Sequence, residues 1–134
     1  MRNVFRVLDS YSLIAYLEGE KGADRMIELL RVARDSAHPL LLSVVNWGEV
    51  YYITLRETGR PRAEQVAHLI KTLPIEIVPV DLSLAKQAAE FKATRKMSYA
   101  DCFAAALAKL RRAELVTGDN EFRQVEGEVR IEWL

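Results

Sequence analysis

The chain alternates between two kinds of hydrophobic pattern. Short segments rich in aliphatic and β-branched residues read as strands: "VFRVL" (Val4–Leu8), "PLLLS" (Pro39–Ser43), "IEIVPV" (Ile75–Val80), "AELVTGD" (Ala113–Asp119) and "VRIEWL" (Val129–Leu134). Between them lie longer segments whose apolar residues recur at three and four positions. "SYSLIAYLEG" is a helix that stops near Gly19, and "GADRMIELLRVARDS" a second, with Met26, Ile27, Leu29, Leu30 and Ala33 on one stripe. "VVNWGEVYYITLRETG" predicts a helix ending at Gly59, and "RPRAEQVAHLIKTL" another with Pro61 in its first turn. "DLSLAKQAAEFKATRK" follows with Asp81 as N-cap, then "SYADCFAAALAKL" with Ser98 at its start. The order is βααβααβααβ with a final strand. Strands separated by helices imply parallel pairing with helices on both faces, a three-layer α/β/α sandwich around a mostly parallel sheet. Ligands of such sheets bind outside the carboxyl ends of the strands, so the residues just after each strand are the ones to inspect.

Composition narrows the class. The 134 residues suit one domain, residues 1–134, and half of them are apolar, as in ordinary soluble globular proteins. Lys plus Arg equals Asp plus Glu at 19 each, so no overall basic charge advertises a nucleic-acid partner, although a local basic patch remains compatible. No apolar run approaches the ~20 residues that span a bilayer. The amino terminus "MRNVFRVLDS" carries no signal-peptide core. A lone cysteine, Cys102, allows no internal disulfide, which sets a cytoplasmic expectation with no membrane association.

Four acids stand out against this pattern. Asp9 follows the first strand and Asp119 follows "LVTG"; taken singly, they are an ordinary helix N-cap and a turn residue. Glu49 lies within a helix beside Val45, Asn46, Tyr52 and Ile53, a largely apolar stripe. Asp101 sits in the first turn of an Ala-rich helix, near Ser98, Ala104 and Ala105; a capping box with Ser98 explains its placement and is compatible with a site there. Acids gathered at one sheet edge repel each other unless a cation intervenes, and hard divalent ions such as Mg2+ or Mn2+ take oxygen ligands. His38 and His68 are far apart and Cys102 is alone, which argues against zinc. There is no G-x-G-x-x-G, Walker loop or G-x-S-x-G, and Asp9-Ser10-Tyr11 lacks the second acid of a D-x-D phosphotransferase.

The segments "VLDSYSLIAYL", "SVVNWGEV", "SYADCFAAALA" and "LVTGDNEF", in this order and spacing, resemble the PIN domain, and within it the VapC-type toxins of bacterial and archaeal toxin–antitoxin modules. The resemblance covers essentially the whole chain. It implies a metal-dependent endoribonuclease in which Asp9, Glu49, Asp101 and Asp119 are catalytic and bind one or two Mg2+ or Mn2+ ions. Thr117 matches a hydroxyl residue that orients the acids or a metal-bound water. Ser10 matches the small polar residue after the first acid, and Asn46 and Glu121 match secondary polar positions; Tyr11 is bulkier than the residue expected there. Asp119 or Glu121 are the candidates for orienting the water. Arg95 and Lys96, just before the Asp101 helix, are the first choices for RNA phosphates, with Arg60 and Arg62 behind them. Trp47, Tyr51 and Tyr52 suit either base stacking or packing in a core or dimer interface. The resemblance further implies an RNA substrate, a cognate VapB-like antitoxin and a homodimer. The alternative is a non-catalytic RNA- or protein-binding module on the same fold; a flap-type DNA nuclease ranks lower, because the chain is too short for a helical arch.

Overall fold

The computed structural model describes residues 4–134. Five strands form one parallel sheet: β1 (Arg6–Leu8), β2 (Leu40–Ser43), β3 (Ile75–Val78), β4 (Glu114–Thr117) and β5 (Ile131–Trp133), in the order β3-β2-β1-β4-β5. Six α-helices connect them: α1 (Ser10–Glu18), α2 (Ala23–Ser36), α3 (Val44–Thr58), α4 (Arg60–Thr72), α5 (Leu82–Thr94) and α6 (Tyr99–Arg111). The expected alternation is present, with an addition: a 3₁₀ helix, Asn120–Val125, carries the chain from β4 to β5. Strand pairing is in register at Leu8 with Leu42 on one side and with Val116 on the other.

All five strands are shorter than their sequence patterns, and β1 and β3 show why. Val4 and Phe5 remain 42 % and 44 % exposed, because the pairing of β1 starts at Arg6 opposite Glu114. Pro79 and Val80 fall outside β3, since proline has no amide to give a ladder.

Strand side chains alternate between two cores. Val7, Leu41 and Leu115 face α5, α6 and the 3₁₀ helix, packing with Phe91, Phe103, Phe122 and Val125. Leu8, Leu42 and Val116 point the other way, into Leu13, Met26, Leu29, Val50, Val66 and Ile70 of α1–α4. The alanines of α6 let it lie close on the sheet: Cys102 to Ala108 are all buried. Cys102 is a small packed side chain whose thiol burial pushes upward. The chain runs from β1 outward through β2 and β3, then returns to place β4 on the other side of β1. That reversal opens a crevice beyond the carboxyl ends of β1 and β4. No described helix is long and apolar enough to cross a membrane.

Candidate functional site

The crevice is walled by helix starts and strand ends, and each brings an acid. Asp9 is the N-cap of α1. Its Oδ1 accepts the Ser12 amide at 2.8 Å, while Ser12 Oγ accepts the Asp9 amide at 3.1 Å, a reciprocal capping box. Its Oδ2 accepts the Thr117 hydroxyl at 2.5 Å. Thr117 Oγ1 in turn accepts the Asp119 amide at 3.0 Å. One hydroxyl at the end of β4 therefore fixes the side chain of Asp9 and the backbone of Asp119 together. Asp119 caps the 3₁₀ helix by accepting the Glu121 amide at 2.9 Å, which swings Glu121 towards the crevice. Glu121, Asp119 and Asp101 each place a carboxylate oxygen within 4.8 Å of the others.

Asp101 reaches this cluster through half of the expected capping box. Ser98 Oγ accepts the Asp101 amide at 3.1 Å, and the return bond is absent among the described residues. The carboxylate thus faces the other acids instead of its own helix. Burial first, then the charges of Asp119, Asp9 and Glu49, raise its pKa from 3.8 to about 7. Asp9, fully buried, rises from 3.8 to about 6, mainly by desolvation, against the hydrogen bonds from Thr117 and Ser12. Glu49 is felt by Asp101 from α3 but lies outside the tight trio. The structure thus gathers all the acids expected from the sequence around one crevice. It gives Glu121, a secondary position in the sequence reading, a place in the closest group, and sets Asp9 deeper.

Asn46 explains how the helices hold this arrangement. Fully buried on α3, it donates from Nδ2 to Ser10 Oγ at 3.3 Å and to the Ala100 carbonyl at 3.2 Å. Ser10 Oγ donates to the Asn46 carbonyl at 3.5 Å. One amide thus ties the first turns of α1 and α6, which carry Asp9 and Asp101, to the helix of Glu49. Among the described residues no donor reaches its buried Oδ1. Ser12, which completes the cap of Asp9, escaped the sequence reading. The D-x-x-S spacing of a capping box is the signal that marks it.

The cationic and aromatic candidates distribute differently. Arg95 donates to Glu128 at 2.6 Å and lies over the Phe91 ring, so its guanidinium is engaged; Lys96 is exposed. Trp47 and Tyr51 stack on each other with ring centroids 5.4 Å apart, and the Tyr51 hydroxyl donates to Glu64 at 2.6 Å. Tyr52 is exposed beneath Arg56. Arg60 is exposed next to Tyr51 and Arg62 is half-buried.

These carboxylates fit a divalent cation. Among the described residues no Lys, Arg or His forms an ion pair with Asp9, Glu49, Asp101, Asp119 or Glu121. Acids without a cationic partner among the described residues, running from buried Asp9 to exposed Glu121, are at this spacing a hard-cation donor set. The framework is testable separately from the metal. Thr117→Val, nearly isosteric, strands a buried carboxylate oxygen of Asp9. It should lower stability by about 1–3 kcal/mol in chemical denaturation, with Thr117→Ser recovering most of the loss.

Comparison with known proteins places the fold. The chain superposes on VapBC2 from Rickettsia felis bound to a promoter DNA fragment with a TM-score of 0.78 at 14% identity, covering 96% of this chain and 98% of that one. DNA-bound VapBC from Salmonella typhimurium gives a TM-score of 0.76 at 20% identity, covering 97% and 98%. VapC20 from Mycobacterium tuberculosis, a sarcin–ricin loop cleaving toxin, gives 0.69 at 17% identity, covering 90% and 94%. A comparison with curated proteins finds no match. Residues 6–128, which contain every acid of the crevice, match the family model of the PIN domain. With that match covering nearly all of the sequence, the chain belongs to the PIN domain family.

Proposed function

We propose that the chain is an endoribonuclease that hydrolyses RNA phosphodiester bonds with Mg2+ or Mn2+, and that it is the toxin of a toxin–antitoxin pair. The observation that carries this reading is the carboxylate cluster without a cationic partner among the described residues, set at the reversal point of the sheet. An RNA phosphate is repelled by such a cluster, so binding it there requires a cation between them. Asp101, Asp119 and Glu121 would hold the ion, with Glu49 and Asp9 adding charge around it. A divalent cation bound here supplies charge neutralisation at the phosphate and a water acidic enough to act as a nucleophile.

The chain's own residues supply position. Thr117 holds Asp9 and the Asp119 backbone in one geometry. Asn46 keeps the α1 and α6 turns from separating under the mutual repulsion of their acids. Lys96, exposed five residues before Asp101, is the better candidate for a neighbouring phosphate, because Arg95 is paired with Glu128. Neither histidine lies among the crevice residues, which favours attack by water over attack by the RNA 2′-hydroxyl. A toxin role is supported by the structural neighbours, which include VapBC assemblies and the VapC20 toxin; an antitoxin that inserts a basic side chain would compensate the same acids.

The test is RNA cleavage by the purified chain with Mg2+ or Mn2+, and with EDTA. Metal-dependent cutting that leaves 5′-phosphate and 3′-hydroxyl ends is expected. RNA binding without cutting under any metal condition, or 2′,3′-cyclic phosphate products that persist in EDTA, would overturn the reading.

A further inference from the structure

We propose that Tyr11 is a specificity-determining residue of this site, a stacking platform for the nucleobase beside the scissile phosphate. The inference rests on the ribonuclease reading above.

Tyr11 lies in the first turn of α1, two residues after Asp9. Because β1 and β4 are adjacent and parallel, the turn after β1 meets the turn after β4. There the Tyr11 ring rests directly on Gly118. A Cβ at position 118 would collide with Tyr11 Cε1 and stand 2.7 Å from Cζ and 2.9 Å from Oη. The glycine is not required by its backbone, since the positive-φ glycines are Gly19, Gly22 and Gly59. Its lack of a side chain is what lets the tip of the ring lie there. Gly118 sits between Thr117, which holds Asp9, and Asp119, a member of the carboxylate trio. The ring tip is therefore brought to the border of the acid cluster.

The ring is not there to fill a core. It is 41 % exposed, while Ser12, Leu13 and Ala15 do the packing of α1. Tyrosines held for stability bury the ring and give the hydroxyl a partner. The Tyr11 hydroxyl has no hydrogen bond among the described residues. The edge of the ring at Cε1, Cζ and Oη lies against Gly118, and the side chain is 41 % exposed. An aromatic surface anchored at the edge of a phosphate-binding cluster is what an unstacked RNA base requires: it gives affinity without a need for hydrogen-bonded readout. Stacking strength grows with the base's π-surface, so the platform favours purines modestly at the flanking nucleotide.

The experiment compares wild type, Tyr11→Ala, Tyr11→Phe and Gly118→Ala on single-stranded RNA with Mn2+, recording KM, kcat, the cut sites and the melting temperature. Tyr11→Ala should raise KM roughly tenfold or more and flatten the cut-site preference, with kcat and melting temperature little changed. Tyr11→Phe should recover most of the affinity, and Gly118→Ala, which displaces the ring, should resemble Tyr11→Ala. Unchanged KM and cut sites in Tyr11→Ala would overturn the proposal. So would a loss confined to kcat and accompanied by a lower melting temperature, because that is a structural effect. If the wild type cuts no RNA, the ribonuclease reading fails by itself. Tyr11 is then decided by the quench of a 2-aminopurine RNA oligonucleotide on binding: present in wild type and absent in Tyr11→Ala sustains the platform, and absent in both overturns it.

Discussion

Replacing Asp101 by asparagine should reduce metal-dependent RNA cleavage by at least roughly 10²–10³-fold, while making the metal-free protein more stable. The two effects have one cause. Asp101 is held between Asp119, Asp9 and Glu49, with no cation paired to it among the described residues. Its charge is useful only when a divalent ion is present, and a burden to the fold otherwise. The amide keeps the shape and the Ser98 cap, whose bond to the Asp101 backbone amide does not depend on the carboxylate charge. Relief of the charge's desolvation, and then of its repulsion by the other acids, should therefore add about 1 kcal/mol at pH 8, after allowance for the partial exposure of the group, or roughly 4 °C in melting temperature. Cleavage within tenfold of wild type would remove Asp101 from the machinery. A variant that is inactive but also unfolded or destabilised would remove the argument from repulsion.

The metal-free protein should lose stability as pH rises from 5 to 8, and Mn2+ should restore more of it at pH 8 than at pH 5. In the unfolded chain both Asp9 and Asp101 titrate near 3.8; in the folded chain they titrate near 6 and near 7. Between these limits the folded state holds more protons than the unfolded one, so stability falls with rising pH across the window and levels off above about 7. The displacement of Asp9 alone, from 3.8 to about 6, corresponds to about 3 kcal/mol. Glu128 and Glu132, held low chiefly by hydrogen bonds from Lys109 and Arg25, act in the opposite sense: their contribution is lost only as pH drops below their ordinary value of 4.5, under the range of the melts. A divalent ion binds the deprotonated carboxylates, so it competes with protons and stabilises most where they have left. Thermal melts in EDTA and in Mn2+ across this range check the effect. A flat EDTA profile, or equal stabilisation by metal at both ends, would show that the acids do not share a desolvated site.

The sequence by itself determined the elements and their order. Apolar period, Gly19 and Gly59 as stops, and Asp81 and Ser98 as caps are local signals, and each is read from neighbours within a few residues. The alternation of strand and helix then fixed parallel pairing, because a parallel partner needs a crossover. It also placed Asp9 and Asp119 at the carboxyl edge, where the acids do gather. The bounds of β1 were not legible, because Val4 and Phe5 have strand-like side chains and lack the lateral cover that would bury them. Nor was the 3₁₀ helix, whose six polar-rich residues carry no periodic signal.

Which acids stand together, and what holds them, follows from long-range packing. Glu121 joins Asp101 and Asp119 because Asp119 caps the turn that carries it. Thr117 bridges Asp9 and Asp119 across two strands that are 108 residues apart at that bond. Asn46 fastens two helix starts through contacts 36 and 54 residues away in the chain, and Tyr11 finds Gly118 across the same gap between β1 and β4. A residue's type and its local period are properties of the chain. The 2.5–3.3 Å contacts that turn these residues into one site exist only after the sheet has brought distant segments to a common edge.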